Sequence, residues 1–158
     1  MRVAPAAAAP VRSGPEEAAI ITTLIVTQGH LADELLAAAR KIVGEGCSLS
    51  ALSLDWEDGV DVARAKLEDT VDSLTANGGG LLILTDIYGG TPHNMALSLR
   101  RPGRVEVLSG VNLPMVVRLS CGGDREMTLE ETAEWIREKA RASICCGDQR
   151  RNGDNGGA

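Results

Sequence analysis

The stretch LLILTDIYGGTPHN, residues 81–94, decides how this chain folds. LLILTD (81–86) is an unbroken apolar run closed by an acid, the pattern of a strand buried on both faces. Gly89 and Gly90 then permit a tight turn and let another group approach the backbone closely. Thr91 is a good helix N-cap, and Pro92 fits the first helical position, where its missing N–H costs nothing. GGTPHNMALSLR (89–100) therefore begins a helix. The free amides of a first helical turn carry partial positive charge and suit an anion such as phosphate. The carboxylate of Asp86 would stand beside that anion, placed to orient a donor such as a histidine N–H. Spacing alone fits an ordinary strand–turn–helix junction equally well.

The same alternation extends in both directions. AIITTLIVT (19–27) is a second continuous β-branched run. It is followed by LADELLAAARKIVG, with Leu31, Leu35, Leu36, Ala39 and Ile42–Val43 at helical spacing and Gly44 as C-cap. SLSALSLDW (48–56) alternates like a strand, and VDVARAKLEDTVDSLTA (60–76) is an amphipathic helix with apolar positions at 60, 63, 67, 71 and 74. RVEVLSG (104–110) is another strand, and LPMVVRLS and TLEETAEWIREKARASI are the last helices. Strands alternating with helices give an α/β fold: an open, mainly parallel sheet with helices on both faces. Such sheets carry their sites in loops beyond the carboxyl ends of the strands, here just after residues 27, 86 and 110.

Composition bounds the chemistry. The 158 residues are 44% hydrophobic and 24% charged, suited to one globular domain whose core needs no staples. A net charge of −6 argues against nucleic acid as a partner. No apolar run approaches the length of a membrane span, and the Ala/Pro-rich start lacks the apolar stretch of a secretory signal. Cys47, Cys121, Cys145 and Cys146 form no CxxC pair and read as free thiols of a reducing, cytoplasmic compartment. With no ligand-spaced Cys/His cluster, no metal and no cofactor are expected. Residues 1–17 and 147–158 read as a disordered leader and tail around a domain spanning 18–146. Phe is absent, so the core is aliphatic, and only His30 and His93 can serve a mechanism that needs histidine.

Three segments, Thr27-Gln28-Gly29, Asp86-Ile87-Tyr88-Gly89-Gly90-Thr91-Pro92-His93-Asn94 and Gly110-Val111-Asn112-Leu113-Pro114-Met115, stand in order across the chain. Together they resemble the enzyme IIA domain of the mannose family of the phosphoenolpyruvate-dependent sugar phosphotransferase system. The resemblance covers about residues 19–146. It implies a parallel α/β sheet, a homodimer, and a histidine that takes a phosphoryl group from the histidine-containing phosphocarrier protein and passes it to the enzyme IIB domain. It implies that Asp86 fixes the tautomer of that histidine, and that Gly89, Gly90 and Thr91 hold the phosphoryl oxygens. It implies a protein at most peripheral to a membrane permease.

The acceptor histidine of the family falls at Gln28. A glutamine amide is a weak nucleophile and carries no stable phosphoramidate, so a phosphoryl carrier here lacks its transferring atom. Three readings follow. His30, two residues on, substitutes as acceptor, although near-attack geometry tolerates displacements of only about 1 Å. Alternatively the chain is a phosphorylation-incompetent regulatory module that senses a partner, with the Gln28 NH2 group hydrogen-bonding Asp86. The third reading is a retained domain that binds another small anion at the Gly89–Thr91 turn. His93 follows Pro92 inside a helix and is expected to point away from the pocket.

Overall fold

The computed structural model describes residues 20–44, 49–121 and 126–147. Its four strands are β1 (Ile21–Gln28), β2 (Leu49–Leu54), β3 (Gly80–Thr85) and β4 (Val105–Ser109). All pair in parallel, in the order β2-β1-β3-β4. The helices are α1 (Leu31–Val43), α2 (Val60–Thr75), α3 (Thr91–Ser98), α4 (Leu113–Ser120) and α5 (Leu129–Ala142). The parallel α/β architecture expected from the alternation is the one observed.

Strand alternation sorts the core into two layers. Ile25, Leu82 and Leu84 face one side of the sheet and pack with Ala32, Leu36 and Ala39 of α1, Met115 and Val116 of α4, and Ile136 of α5. Leu24, Val26, Leu81 and Ile83 face the other side, against Ala63, Leu67 and Val71 of α2 and Met95 and Ala96 of α3. Both layers are aliphatic, as the composition requires. Burying a side chain of this size contributes roughly 1.5–3 kcal/mol, so the central strands β1 and β3 hold the fold together.

Several boundaries differ from the sequence reading. Gln28, expected in the loop, is the last residue of β1, in register with Leu54 of β2. α2 stops at Thr75, and its first apolar position, Val60, is exposed. Leu31 and Ile42 of α1 also face water, because the Ala32, Leu36 and Ala39 stripe, with Leu35 beside it, is what meets the core. Gly44 does cap α1, donating its N–H to the Arg40 carbonyl at 2.9 Å. α3 is capped by Gly90 rather than Thr91, which is the first helical residue with its hydroxyl uncommitted to the cap. The Gly90 backbone is already extended there, so the turn needs no side-chain cap. A capping box opens α5: the Thr128 hydroxyl accepts from Glu131 N–H and the Glu131 carboxylate accepts from Thr128 N–H.

Cys121, Cys145 and Cys146 are free and exposed. Cys47, the 1–17 leader and residues 148–158 lie outside the described residues. Among the described residues no helix is long and apolar enough to cross a membrane.

Candidate functional site

The carboxyl ends of β1, β3 and β4 converge on Asp86. Its Oδ2 accepts the backbone N–H of Gln28 at 3.1 Å, and its Oδ1 accepts the N–H of Ile87 at 2.8 Å. The Gly110 N–H, just after β4, donates to the carbonyls of Thr85 and Asp86, both at 3.0 Å. Val111 N–H adds a further bond to Thr85 at 3.0 Å. Asn112 closes this third loop as the N-cap of α4, its Oδ1 accepting from Met115 N–H at 3.1 Å. Asp86 thus ties β1 to β3 through backbone amides, and the three loops singled out in the sequence form one edge.

The side chain of Gln28 takes a different direction from the one expected. Its Nε2 donates to the carbonyls of Leu54 at 3.2 Å and Asp55 at 2.9 Å, both at the end of β2. The NH2 group therefore does not reach Asp86; the backbone N–H of the same residue does. The reason lies in the register: pairing Gln28 with Leu54 brings the side chain beside carbonyls that continue past the strand end. The Leu54 carbonyl also accepts the Gly29 N–H at 2.8 Å, and its second lone pair takes the Gln28 amide.

Thr27 is fully buried, and its Oγ1 accepts the N–H of Ala32 at 2.8 Å. That bond satisfies one of the first-turn amides of α1, which has no side-chain cap of its own at His30. His30 occupies the N-cap position with its ring exposed, and the ring makes no hydrogen bond among the described residues. No hydrogen bond or ion pair joins His30 to Asp86 among the described residues.

The turn after Asp86 is built from its glycines. Gly89 has φ +78, a conformation that L side chains rarely adopt. A Cβ on Gly90 would stand 2.7 Å from Cγ2 of Ile87. Gly90 N–H donates to the Ile87 carbonyl at 3.1 Å, Asn94 N–H to the Gly90 carbonyl at 2.9 Å, and Asn94 Nδ2 to the Gly89 carbonyl at 3.0 Å. The amides of Gly89 and Thr91 have no acceptor among the described residues. Those two donors, at the positive end of α3 and next to the Asp86 carboxylate, are suited to phosphoryl oxygens. His93 is turned inward and buried, its Nδ1 lying 3.4 Å from Thr85 Oγ1 and its ring 4.8 Å from that of Tyr88.

The sequence reading missed Trp56. Its indole Nε1 lies 3.0 Å from where a Cβ on Gly29 would stand, so it covers the residue beside Gln28 while staying 76% exposed. The signal was present in the sequence: a large aromatic directly after a strand end, in a chain with very few aromatics.

The comparisons agree with this geometry. The sequence model of the EIIA-man family, described as the PTS system fructose IIA component, matches residues 22–137. The mannose-specific EIIAB component of Escherichia coli K12 is 26% identical over 125 residues, which are 78% of this chain and 38% of that protein. The fructose-specific EIIA component of Bacillus subtilis is 28% identical over 101 residues, covering 63% of this chain and 68% of the relative. The chain thus spans well under half the length of the E. coli relative. Among solved structures, the mannose/sorbose IIA subunit of Enterococcus faecalis superposes with a TM-score of 0.70 at 26% identity, covering 82% of this chain and 96% of that one. The PTS IIA protein associated with the fucose utilization operon of Streptococcus pneumoniae gives 0.69 at 28%, covering 80% and 92%. Motifs in three loops, the strand order that unites them and the match over residues 22–137 place this chain in the EIIA-man family of phosphotransferase-system IIA components.

Proposed function

We propose that this IIA component senses the phosphotransferase system without carrying its phosphoryl group: a phosphorylation-incompetent regulatory module that engages the histidine-containing phosphocarrier protein and the enzyme IIB domain. The observation that carries this reading is Gln28, which stands at the position of the family's acceptor histidine with its amide committed to the Leu54 and Asp55 carbonyls. An amide nitrogen has its lone pair delocalised into the carbonyl and offers phosphorus no nucleophile. Phosphoryl transfer depends on positioning and charge stabilisation, and both are retained here without the attacking atom. Asp86 remains held by two backbone amides, and the Gly89–Gly90–Thr91 turn keeps donors for an anion. In this reading Asp86 and the turn meet the histidine or phosphoryl group of a partner. The protein acts in the cytoplasm, as a homodimer in keeping with its family.

The test is phosphorylation itself. The protein is incubated with phosphoenolpyruvate, enzyme I and the phosphocarrier protein, and acid-labile phosphate is measured. No adduct is expected on the native chain, and one is expected on Gln28→His, because the rest of the socket is intact. An adduct on the native chain that disappears in His30→Ala would overturn the proposal and make His30 the acceptor.

A further inference from the structure

We infer that the adjacent thiols of Cys145 and Cys146 form a chelating dithiol site for a soft, thiophilic centre that takes two sulfur ligands, the chemistry of a monosubstituted trivalent arsenical. The pair lies outside the three loops of the sheet edge, and its chemistry is independent of the sensing role.

Position makes the pair available. α5 ends at Ala142 with Ser143 as its C-cap, and residues 144–146 belong to neither helix nor strand. Cys145 and Cys146 are both free and exposed, and Ile144 before them is 80% exposed. The Cys145 thiol donates to the Ala142 carbonyl with Sγ at 3.7 Å, while the Cys146 thiol makes no hydrogen bond among the described residues. A thiol is a weak donor, so little holds either sulfur in place. The backbone N–H groups of these two residues also enter no hydrogen bond among the described residues. The peptide between them can therefore turn both side chains to one side without breaking a helix or ladder bond.

Adjacency decides the chemistry. Consecutive Cα atoms stand ~3.8 Å apart across a trans peptide, short of the ~4.4 Å at which ordinary disulfide geometry begins. A direct S–S bond would close a strained ring, whereas a bridging atom bonded to both sulfurs widens it. The two residues thus remain thiols, open to a bridging centre. A structural metal such as zinc asks for four ligands, and no group of three or more His, Cys, Asp or Glu gathers among the described residues to supply them. A monosubstituted trivalent arsenical asks for two, and sulfur is the soft donor that such centres prefer.

The exchange balances without an oxidant or reductant. An organoarsenic dihydroxide and the two thiols give the cyclic dithioarsenite and two waters. Two As–O and two S–H bonds break, two As–S bonds form, each thiol proton leaves with a hydroxide as water, and arsenic stays trivalent. Once one sulfur is attached, the second bond is intramolecular, so the pair holds arsenic far more tightly than a single thiol can. Cys121, exposed at the C-cap of α4 and separated from the pair by the 14-residue α5, is a single-thiol reference within the same chain.

The experiment treats the reduced full chain with phenylarsine oxide and reads intact mass. The adduct is then challenged with a monothiol, mercaptoethanol, or a dithiol, dithiothreitol. One phenylarsenic group per chain is expected, with the monothiol needed at about a hundredfold higher concentration than the dithiol to remove it. Cys145→Ser and Cys146→Ser are each expected to lose this resistance, and Cys121→Ser and Cys47→Ser to keep it. Circular dichroism verifies that each variant is folded. The site is overturned by any of four results: no adduct; release by the monothiol as readily as by the dithiol; resistance that survives in Cys145→Ser or Cys146→Ser or disappears in Cys121→Ser or Cys47→Ser; or one arsenic shared between two chains.

Discussion

Replacing Thr27 with Val tests whether this residue of the T-Q-G segment is structural. The hydroxyl is fully buried and accepts the Ala32 N–H at 2.8 Å, and Ala32 is itself fully buried. Valine keeps the shape and removes the acceptor, so the amide is left without a partner and out of reach of water. Such an orphan costs roughly 1–3 kcal/mol. The methyl that replaces the hydroxyl returns up to ~0.8 kcal/mol through burial. The net loss is about 1–2 kcal/mol, which lowers the melting midpoint by roughly 4–8 °C for a domain of roughly 120 residues, where the unfolding entropy is near ~0.25 kcal/mol/K. Two measurements check this. Thermal or urea unfolding reads the stability, and amide hydrogen exchange reads the Ala32 N–H directly. Thr27→Ser keeps the acceptor and is expected to retain the Ala32 protection that Thr27→Val loses. If Thr27→Val unfolds within ~0.5 kcal/mol of the native chain, or Ala32 exchanges at the native rate, Thr27 does not secure the start of α1.

Gly89→Ala is expected to destabilise by about 1–2 kcal/mol through its left-handed backbone alone, because nothing lies within 4 Å of the new Cβ; chemical unfolding checks it, and a neutral result would mean the turn relaxes. Leu82→Ala, in the layer shared by α1, α4 and α5, should cost roughly 2–5 kcal/mol with an unchanged urea slope. Glu106→Gln tests pH linkage. The hydrogen bond from Arg100 holds the Glu106 carboxyl below its ordinary value of 4.5, opposed by partial burial and aided by the Val107 N–H. A carboxyl lowered in the folded state contributes stability that is complete above its unfolded value and disappears as pH falls through the folded value. The advantage of the native chain over Glu106→Gln should therefore be present at neutral pH, shrink in acid below about 4.5 and shrink with added salt, since the pair is near the surface; a difference constant down to strong acid would refute the linkage.

Hydrophobic order along the chain determined the fold. Continuous apolar runs at 81–84 and 24–26 have no polar face to give to water, so they must lie inside a sheet covered on both sides, and the intervening amphipathic segments must be the cover. Local chemistry likewise fixed the third loop, with its Asn112 cap, and the glycine turn after Asp86. The substitution at Gln28 is a fact of sequence as well.

What the glutamine does was decided by tertiary structure. Sequence spacing cannot tell which neighbour a side chain at a strand end will meet, because that depends on register with a strand about 25 residues away. The Gln28–Leu54 pairing sends the amide to β2 and leaves only its backbone N–H for Asp86. Trp56 stood out in the sequence only as a rare aromatic: its place over Gly29 comes from the adjacency of β1 and β2, not from any motif. The Thr91 cap failed at a finer level, since an extended Gly90 already began α3 one residue earlier. Local propensity and periodicity act over a few residues and are written in the chain. The direction of a side chain at the sheet edge is set by long-range pairing, and only the assembled sheet contains it.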